Sequence, residues 1–251
     1  MAGGFKDHFS GHAADYARAR PGYPEALFDF LASLPWERGA AWDCGTGSGQ
    51  AAAPLARRFA RVVASDASAA QIARAPRAAN VLFLAAPAER PPLPDASIDL
   101  ITVAQALHWF DFAPFFAEVR RVARPGAAFA AWAYGNCRVS PEVDALYDHL
   151  YEQVLGPYWP PERAHVEQGY RTIPSPFAAM PAPSFVMDVH WDLAGFLGYV
   201  ETWSATQRYR RQTGQDPLAP LRPALESAWG DPAAPRRIVW PLALLVARPR
   251  P

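Results

Sequence analysis

Short apolar segments alternate with amphipathic ones along the first half of the chain. Ala40–Cys44 is short and apolar and runs into the turn Gly45–Gly49. Gln50–Phe59 reads as a helix. Val62 and Val63 mark Arg61–Ser65 as a strand ending at Asp66, and Ala67–Ala75 is helical until Pro76 stops it. Asn80–Ala85 is a third strand. Ile98–Ala104 is a fourth, and its largely apolar run suits a sheet covered on both faces. Phe112, Phe115, Phe116, Val119 and Val122 recur with helical period over Phe112–Ala123, which Pro125-Gly126 closes. Ala127–Tyr134 is a fifth strand.

The second half is patterned differently. Pro141–Leu155 reads as a helix. Gly156–Pro183 is rich in proline but carries Tyr158, Trp159, Tyr170, Phe177 and Met180, so it predicts a structured cap and not a flexible linker. Ser184–Trp191 alternates apolar and polar residues with the period of a strand. Helices follow over Leu193–Trp203, Ser204–Arg211 and Leu218–Trp229. The final strand, Arg237–Ala247, contains Pro241, which predicts an edge or a bulge. The succession gives an α/β fold, a doubly wound and mostly parallel sheet of seven strands with a helical cap. Residues 1–136 read as an arm and a ligand-binding core. Residues 137–251 read as the cap plus the last two strands of the same sheet.

Composition narrows the function. With 24 basic and 24 acidic residues the formal charge is zero, which argues against a nucleic-acid partner, whose affinity comes mainly from neutralised phosphates. Two cysteines, Cys44 and Cys137, exclude a disulfide scaffold and imply a reducing, cytoplasmic setting. Met1–Phe9 has no apolar stretch and is not a signal peptide, and no run approaches the about 20 residues that span a bilayer. Histidines are scattered without metal-ligand spacing, so no metal is expected.

The densest chemistry lies in Asp43-Cys44-Gly45-Thr46-Gly47-Ser48-Gly49, which leaves a strand and opens a helix. Alternate glycines let the backbone approach a ligand closely. A dinucleotide fingerprint fails, because Gln50 follows Gly49. A carboxylate at Asp43 is a poor neighbour for pyrophosphate and a good one for a cation, which favours adenosylmethionine over NAD. Asp66, at the end of the next strand, either accepts hydrogen bonds from ribose hydroxyls or caps the helix after it.

These residues resemble the cofactor site of class I S-adenosylmethionine-dependent methyltransferases, whose fold is Rossmann-like. Other segments resemble the type-11 small-molecule branch, which includes enzymes similar to trans-aconitate methyltransferase. They are Tyr16 with Arg20-Pro21-Gly22-Tyr23-Pro24, Ala88-Glu89 before Leu93–Leu100, Gln105–Phe110, and Trp229-Gly230-Asp231-Pro232. The resemblance runs from about Phe9 to Arg248. It implies S-adenosyl-L-methionine as cofactor, held by Tyr16, Arg20, Asp43, Gly45, Gly47, Gly49, Asp66, Ala88, Glu89 and Gln105. Pro87 stands where relatives often carry an acid, which removes a possible N–H contact to the adenine.

His108 and Trp109 follow the fourth strand, where ligands sit in doubly wound sheets. They are candidates for the catalytic centre, His108 as a base, although both also suit a core. The arm residues Tyr16 and Arg20 suit a carboxylate grip, or else a solvated pair beside an aromatic staple. The base-methylating signature [DN]-P-P-[YF] is absent, since Gln105-Ala106-Leu107-His108 stands there. Arg171, Arg208, Arg210 and Arg211 offer themselves to a substrate carboxylate or to solvent. The expectation is methyl transfer to a small molecule such as an organic acid, with the oligomeric state open between monomer and homodimer. A non-catalytic adenosylmethionine-binding protein and an NAD-dependent oxidoreductase are the alternatives.

Overall fold

Continuous apolar runs bounded by turns become the buried centre of one sheet. A computed structural model describes residues 21–250. Its strands are β1 (Ala40–Cys44), β2 (Arg61–Asp66), β3 (Val81–Ala85), β4 (Ile98–Ala104), β5 (Ala123–Tyr134), β6 (Ala178–Ala179), β7 (Phe185–Trp191) and β8 (Arg236–Arg248). The order is β3-β2-β1-β4-β5-β8-β6, and β7 also pairs with β8. Strands β1 to β5 are mutually parallel, while β8 runs antiparallel to β5. Both β6 and β7 lie along the far edge of β8, so the sheet is seven positions wide. This is the Rossmann-like sheet that the sequence resemblance implies.

The helices are α1 (Glu25–Ser33), α2 (Ala52–Ala56), α3 (Ala69–Ile72), α4 (Phe112–Val122), α5 (Pro141–His149), α6 (Arg163–Glu167), α7 (Leu193–Glu201), α8 (Ser204–Thr213) and α9 (Arg222–Trp229). The alternation of β5 divides the core. Ala128, Ala130, Trp132 and Tyr134 face a cluster with Leu27, Phe28 and Trp203, whereas Phe129, Ala131 and Ala133 face Phe115, Phe116 and Phe177. Tyr199 and Trp203 from the cap are buried in the first cluster, so packing accounts for them.

Several sequence expectations need correction. The helix expected over Gln50–Phe59 is regular only over Ala52–Ala56, because Pro54 has no N–H to give the preceding turn and the last turn tightens, with Arg57 and Arg58 bonding three residues back. The helix expected over Ala67–Ala75 starts late, because Ser68 is its cap and accepts from the Gln71 N–H. Strand β5 begins at Ala123, ahead of Pro125-Gly126. The register between β4 and β5 shifts over this stretch, and Gly126 takes φ +76°. Strand β8 is not an edge, since β5 and β7 flank it. Register accommodates Pro241 within it. Val239 bonds Arg138 on the β5 side, so by alternation the missing N–H of Pro241 faces the same side, just past the last β5 pair at Leu242.

The helix expected over Pro141–Leu155 divides. After α5 it widens into a π turn, Leu150–Val154, closed by a 2.9 Å bond from Leu155 N–H to Leu150 O. Such turns recur at functional sites. Among the described residues no helix is long and apolar enough to cross a membrane.

Candidate active site

Strand order reverses between β1 and β4, so their carboxyl ends open the crevice in which ligands of such sheets bind. Asp43 lies in that crevice and is wholly buried. Thr46 Oγ1 donates to its Oδ2 at 2.5 Å, and Thr102 Oγ1, from the neighbouring β4, donates to its Oδ1 at 3.0 Å. Burial pushes the carboxyl up to about 6; the two hydroxyls oppose this, and the negative charge of Asp66 adds to it. Composition and spacing single out Asp43 but not its two threonine partners. The available signal for Thr102 is that it is the one hydroxyl in the apolar run Ile98–Ala104.

The loop glycines divide by role. All three adopt left-handed backbone, with φ of +67°, +56° and +87° at Gly45, Gly47 and Gly49. A Cβ on Gly45 would meet Ala106 Cβ at 2.6 Å, and one on Gly49 would meet the Phe83 ring at 3.2 Å. Those two are required by packing. A Cβ on Gly47 would meet nothing within 4 Å. Gly47 therefore faces the open side of the loop, the place a close-approaching ligand needs. Its N–H donates to Asp66 Oδ2 at 2.8 Å, and the Ser68 N–H donates to Oδ1 at 2.8 Å. Asp66 thus fastens the glycine loop to the start of α3.

Ala88 is buried and Glu89 half-buried in the loop after β3. Glu89 Oε1 accepts from the Asp111 N–H at 3.0 Å, which ties this loop to the start of α4. Gln105 stands at the end of β4 with φ +54°, strained for a residue with a Cβ. Its side chain donates to Tyr134 O at 3.0 Å and accepts from Tyr134 N–H at 3.2 Å, clamping the ends of β4 and β5 together. The amide is spent on backbone, and the Gln105 N–H donates to Trp132 O at 2.8 Å, a further tie to β5. Tyr16 and Arg20 lie outside the described residues.

His108 and Trp109 form one 3₁₀ turn after β4, with ring centroids 4.7 Å apart. His108 is buried, and its Nδ1 lies 3.0 Å from the Tyr170 hydroxyl. Burial and the positive charges of Arg163 and His165 push the imidazole down to about 3. An imidazole this reluctant to take a proton is a poor general base near neutral pH, which runs against the expectation for His108. Tyr170, fully buried in the cap, was legible only as a cap aromatic; nothing in local sequence links it to a residue so far upstream.

Of the four arginines weighed between a substrate carboxylate and solvent, Arg208 is half-buried. Arg171 and Arg211 are exposed, and Arg210 is held by Asp216 at 2.8 Å. Both cysteines are free buried thiols. Among the described residues no group of three His, Cys, Asp or Glu side chains could hold a metal.

The donor set suits a cationic, phosphate-free ligand. A buried acid lies behind the loop, the loop is open at Gly47, and a second acid stands at the end of β2. Comparison with known proteins agrees. The family profile described as Methyltransferase domain matches residues 42–131. A Dictyostelium discoideum protein assigned as a methyltransferase is 31% identical over 229 residues, covering 90% of this chain and 87% of its own. A solved structure from Anaeromyxobacter dehalogenans assigned as a type II methyltransferase is 53% identical, covers 92% of this chain and 99% of that one, and superposes with a TM-score of 0.87. The YcgJ protein from Bacillus subtilis, 17% identical, covers 91% of this chain and 100% of its own with a TM-score of 0.56, a likeness of fold.

Proposed function

The chain belongs to the S-adenosylmethionine-dependent methyltransferases, and from that premise we propose that its acceptor is a small organic acid methylated on a carboxylate oxygen. The two alternatives, an NAD-dependent oxidoreductase and a non-catalytic binding protein, give way to the family relation. The acceptor class is in keeping with the resemblance of the sequence to the small-molecule branch that includes trans-aconitate methyltransferase-like enzymes.

The cofactor supplies a methyl group on a positively charged sulfur that leaves as a neutral thioether. Asp66 and the Gly47 edge of the loop hold the ribose, Ala88 and Glu89 the adenine edge, and Tyr16 and Arg20 the methionine carboxylate. Asp43 sets negative charge behind the cationic end. Gly45 and Gly49 shape the loop, and Gln105 fixes the floor between β4 and β5. The chain's task is then alignment, which in favourable cases supplies roughly 7–11 kcal/mol of the barrier.

One observation carries the acceptor class. His108, the candidate base in the turn that follows β4, is buried, tied to Tyr170 and held neutral. A hydroxyl or carbon acid needs a base, whereas a carboxylate is already ionised and has a lone pair to give. In this reading His108 and Trp109 form an uncharged wall that orients the acceptor and excludes water.

The test is transfer of labelled methyl from adenosylmethionine to carboxylic acids, phenols and amines, alongside tRNA and DNA. Carboxylate products should be methyl esters that release volatile methanol in mild alkali. Alkali-stable product from phenols or amines, or transfer to nucleic acid alone, would refute the acceptor class and leave the family relation intact.

A further inference from the structure

Arg163, on the first turn of α6, is half-buried in the cap beside the His108–Tyr170 pair. Its surroundings fix it in one pose. The guanidinium carbon stands 5.0 Å from the centre of the Trp159 ring and 5.5 Å from that of Tyr151. Its Nε–H donates to the Tyr151 hydroxyl at 2.8 Å, and that hydroxyl donates to Glu167 Oε1 at 2.5 Å. Tyr151 belongs to the π turn, and its carbonyl accepts the Trp159 indole N–H at 3.1 Å, so the two residues that hold the guanidinium are bonded to each other. The orientation is prepared in advance, which spares a ligand the entropy of ordering a long side chain.

Among the described residues nothing uses what is held in place. Arg58, Arg121, Arg124 and Arg210 each spend terminal guanidinium nitrogens on carboxylates. The hydrogen bond of Arg163 is made by Nε alone, and no carboxylate lies within ion-pair distance of its terminal nitrogens among the described residues. Its charge is nonetheless felt at the site: after burial it is the largest influence holding the His108 imidazole neutral, and it also acts on the Tyr170 phenol. Geometry places it there too: Tyr170, on His108, bonds back through its N–H to His165 O at 2.8 Å, and His165, on the same short helix as Arg163, packs 5.4 Å from the Phe112 ring, so α6 lies beside the residues that follow β4.

We propose that Arg163 is the anion-holding residue of the acceptor site, its two terminal nitrogens taking a carboxylate of the substrate in a fork that Tyr151 and Trp159 orient. The paired N–H groups of a guanidinium match the two oxygens of a planar carboxylate. The inference rests on the organic-acid reading above and names the residue that selects for it. No bond is made or broken at Arg163: it binds, and the methyl is accepted by an oxygen that the fork leaves exposed or by a second carboxylate of the same acceptor.

The experiment compares wild type, Arg163→Met and Arg163→Lys. Each is assayed for methyl transfer to a panel of aromatic and aliphatic carboxylates paired with their primary amides. Benzoate binding to the protein saturated with S-adenosylhomocysteine is measured calorimetrically alongside. Arg163→Met should raise KM for the carboxylates and weaken benzoate about 10–100-fold, the loss of a charge-assisted pair. Adenosylmethionine affinity should be unchanged. Arg163→Lys, which keeps the charge without the fork, should fall between. A carboxylate KM unaltered in Arg163→Met, or equal losses on acids and amides, would overturn the role of Arg163 while leaving the acceptor class standing. Wild type that methylates only neutral acceptors would overturn both. If no panel member is methylated, the acceptor class fails, and benzoate binding decides Arg163: equal affinity in wild type and Arg163→Met overturns it, and selective loss upholds it.

Discussion

Asp43 should make cofactor binding depend on pH, because its buried carboxyl holds its proton well above the ordinary range. Its carboxyl is wholly buried and titrates at about 6, raised from 3.8 by burial. The sign follows from linkage. The folded state holds this proton more tightly than the unfolded chain, so the free protein loses stability as pH rises from about 4 to above 6, by roughly 3 kcal/mol in all. A cationic ligand reverses the preference, because it is attracted to the ionised carboxylate. With a midpoint near 6 the ionised fraction rises from about a tenth at pH 5 to about nine-tenths at pH 7, so adenosylmethionine should bind about tenfold tighter at pH 7. Binding at pH 6 should release about half a proton, measurable by calorimetry in two buffers of different ionisation enthalpy. His108, which titrates at about 3, lies outside the window. Asp43→Asn keeps the shape of the side chain and removes the titration. It should bind adenosylmethionine more weakly at pH 7, show a flat profile from pH 5 to 7, and lose the fall in free-protein stability above pH 4. The same slope in Asp43→Asn as in wild type would refute the reasoning, since the proton would then belong to another group.

The glycine loop separates packing from binding. Gly45→Ala, with its Cβ driven to 2.6 Å from Ala106 Cβ, should lower the melting temperature, whereas Gly47→Val should stay folded, at a cost of about 1–2 kcal/mol for its left-handed backbone, and lose the cofactor; normal binding by Gly47→Val would place the ligand elsewhere. Asp66→Asn, which keeps an acceptor for one loop N–H, should cost about 1–3 kcal/mol of cofactor affinity by calorimetry, and an unchanged Kd would remove Asp66 from the ribose. His108→Gln should retain most of its kcat on carboxylate acceptors, and a fall of roughly 10²–10⁴ there would restore the histidine as an essential base.

Much of the fold was written in periodicity. Strands β1 and β4 have the bounds that their largely apolar runs indicate, because both are buried along nearly their whole length and even Asp43, Asp99 and Thr102 lie inside. The glycine loop and Asp66 were legible for a related reason: they act through backbone conformation and a strand end, both local properties of the chain. Prolines were legible as interruptions but not in their consequences. Pro54 shortens a helix from inside, and Pro241 sits in a flanked strand because its missing N–H faces a gap in the ladder that only the pairing of β8 reveals.

The chemistry of the site was settled between segments far apart in sequence. Asp43 owes its raised titration to burial, against which Thr102 on another strand works. His108 owes its neutrality to the fold closing over it and to the charge of Arg163 from the cap, where Tyr170 also holds it. Arg163 itself looks in sequence like any solvated arginine. It becomes a prepared cation only because a π turn and a proline-rich segment bring Tyr151 and Trp159 around it. Local pattern fixes which elements form, since it depends on neighbours along the chain. Desolvation and charge pairing depend on neighbours in space, and those exist only once the sheet and the cap have come together.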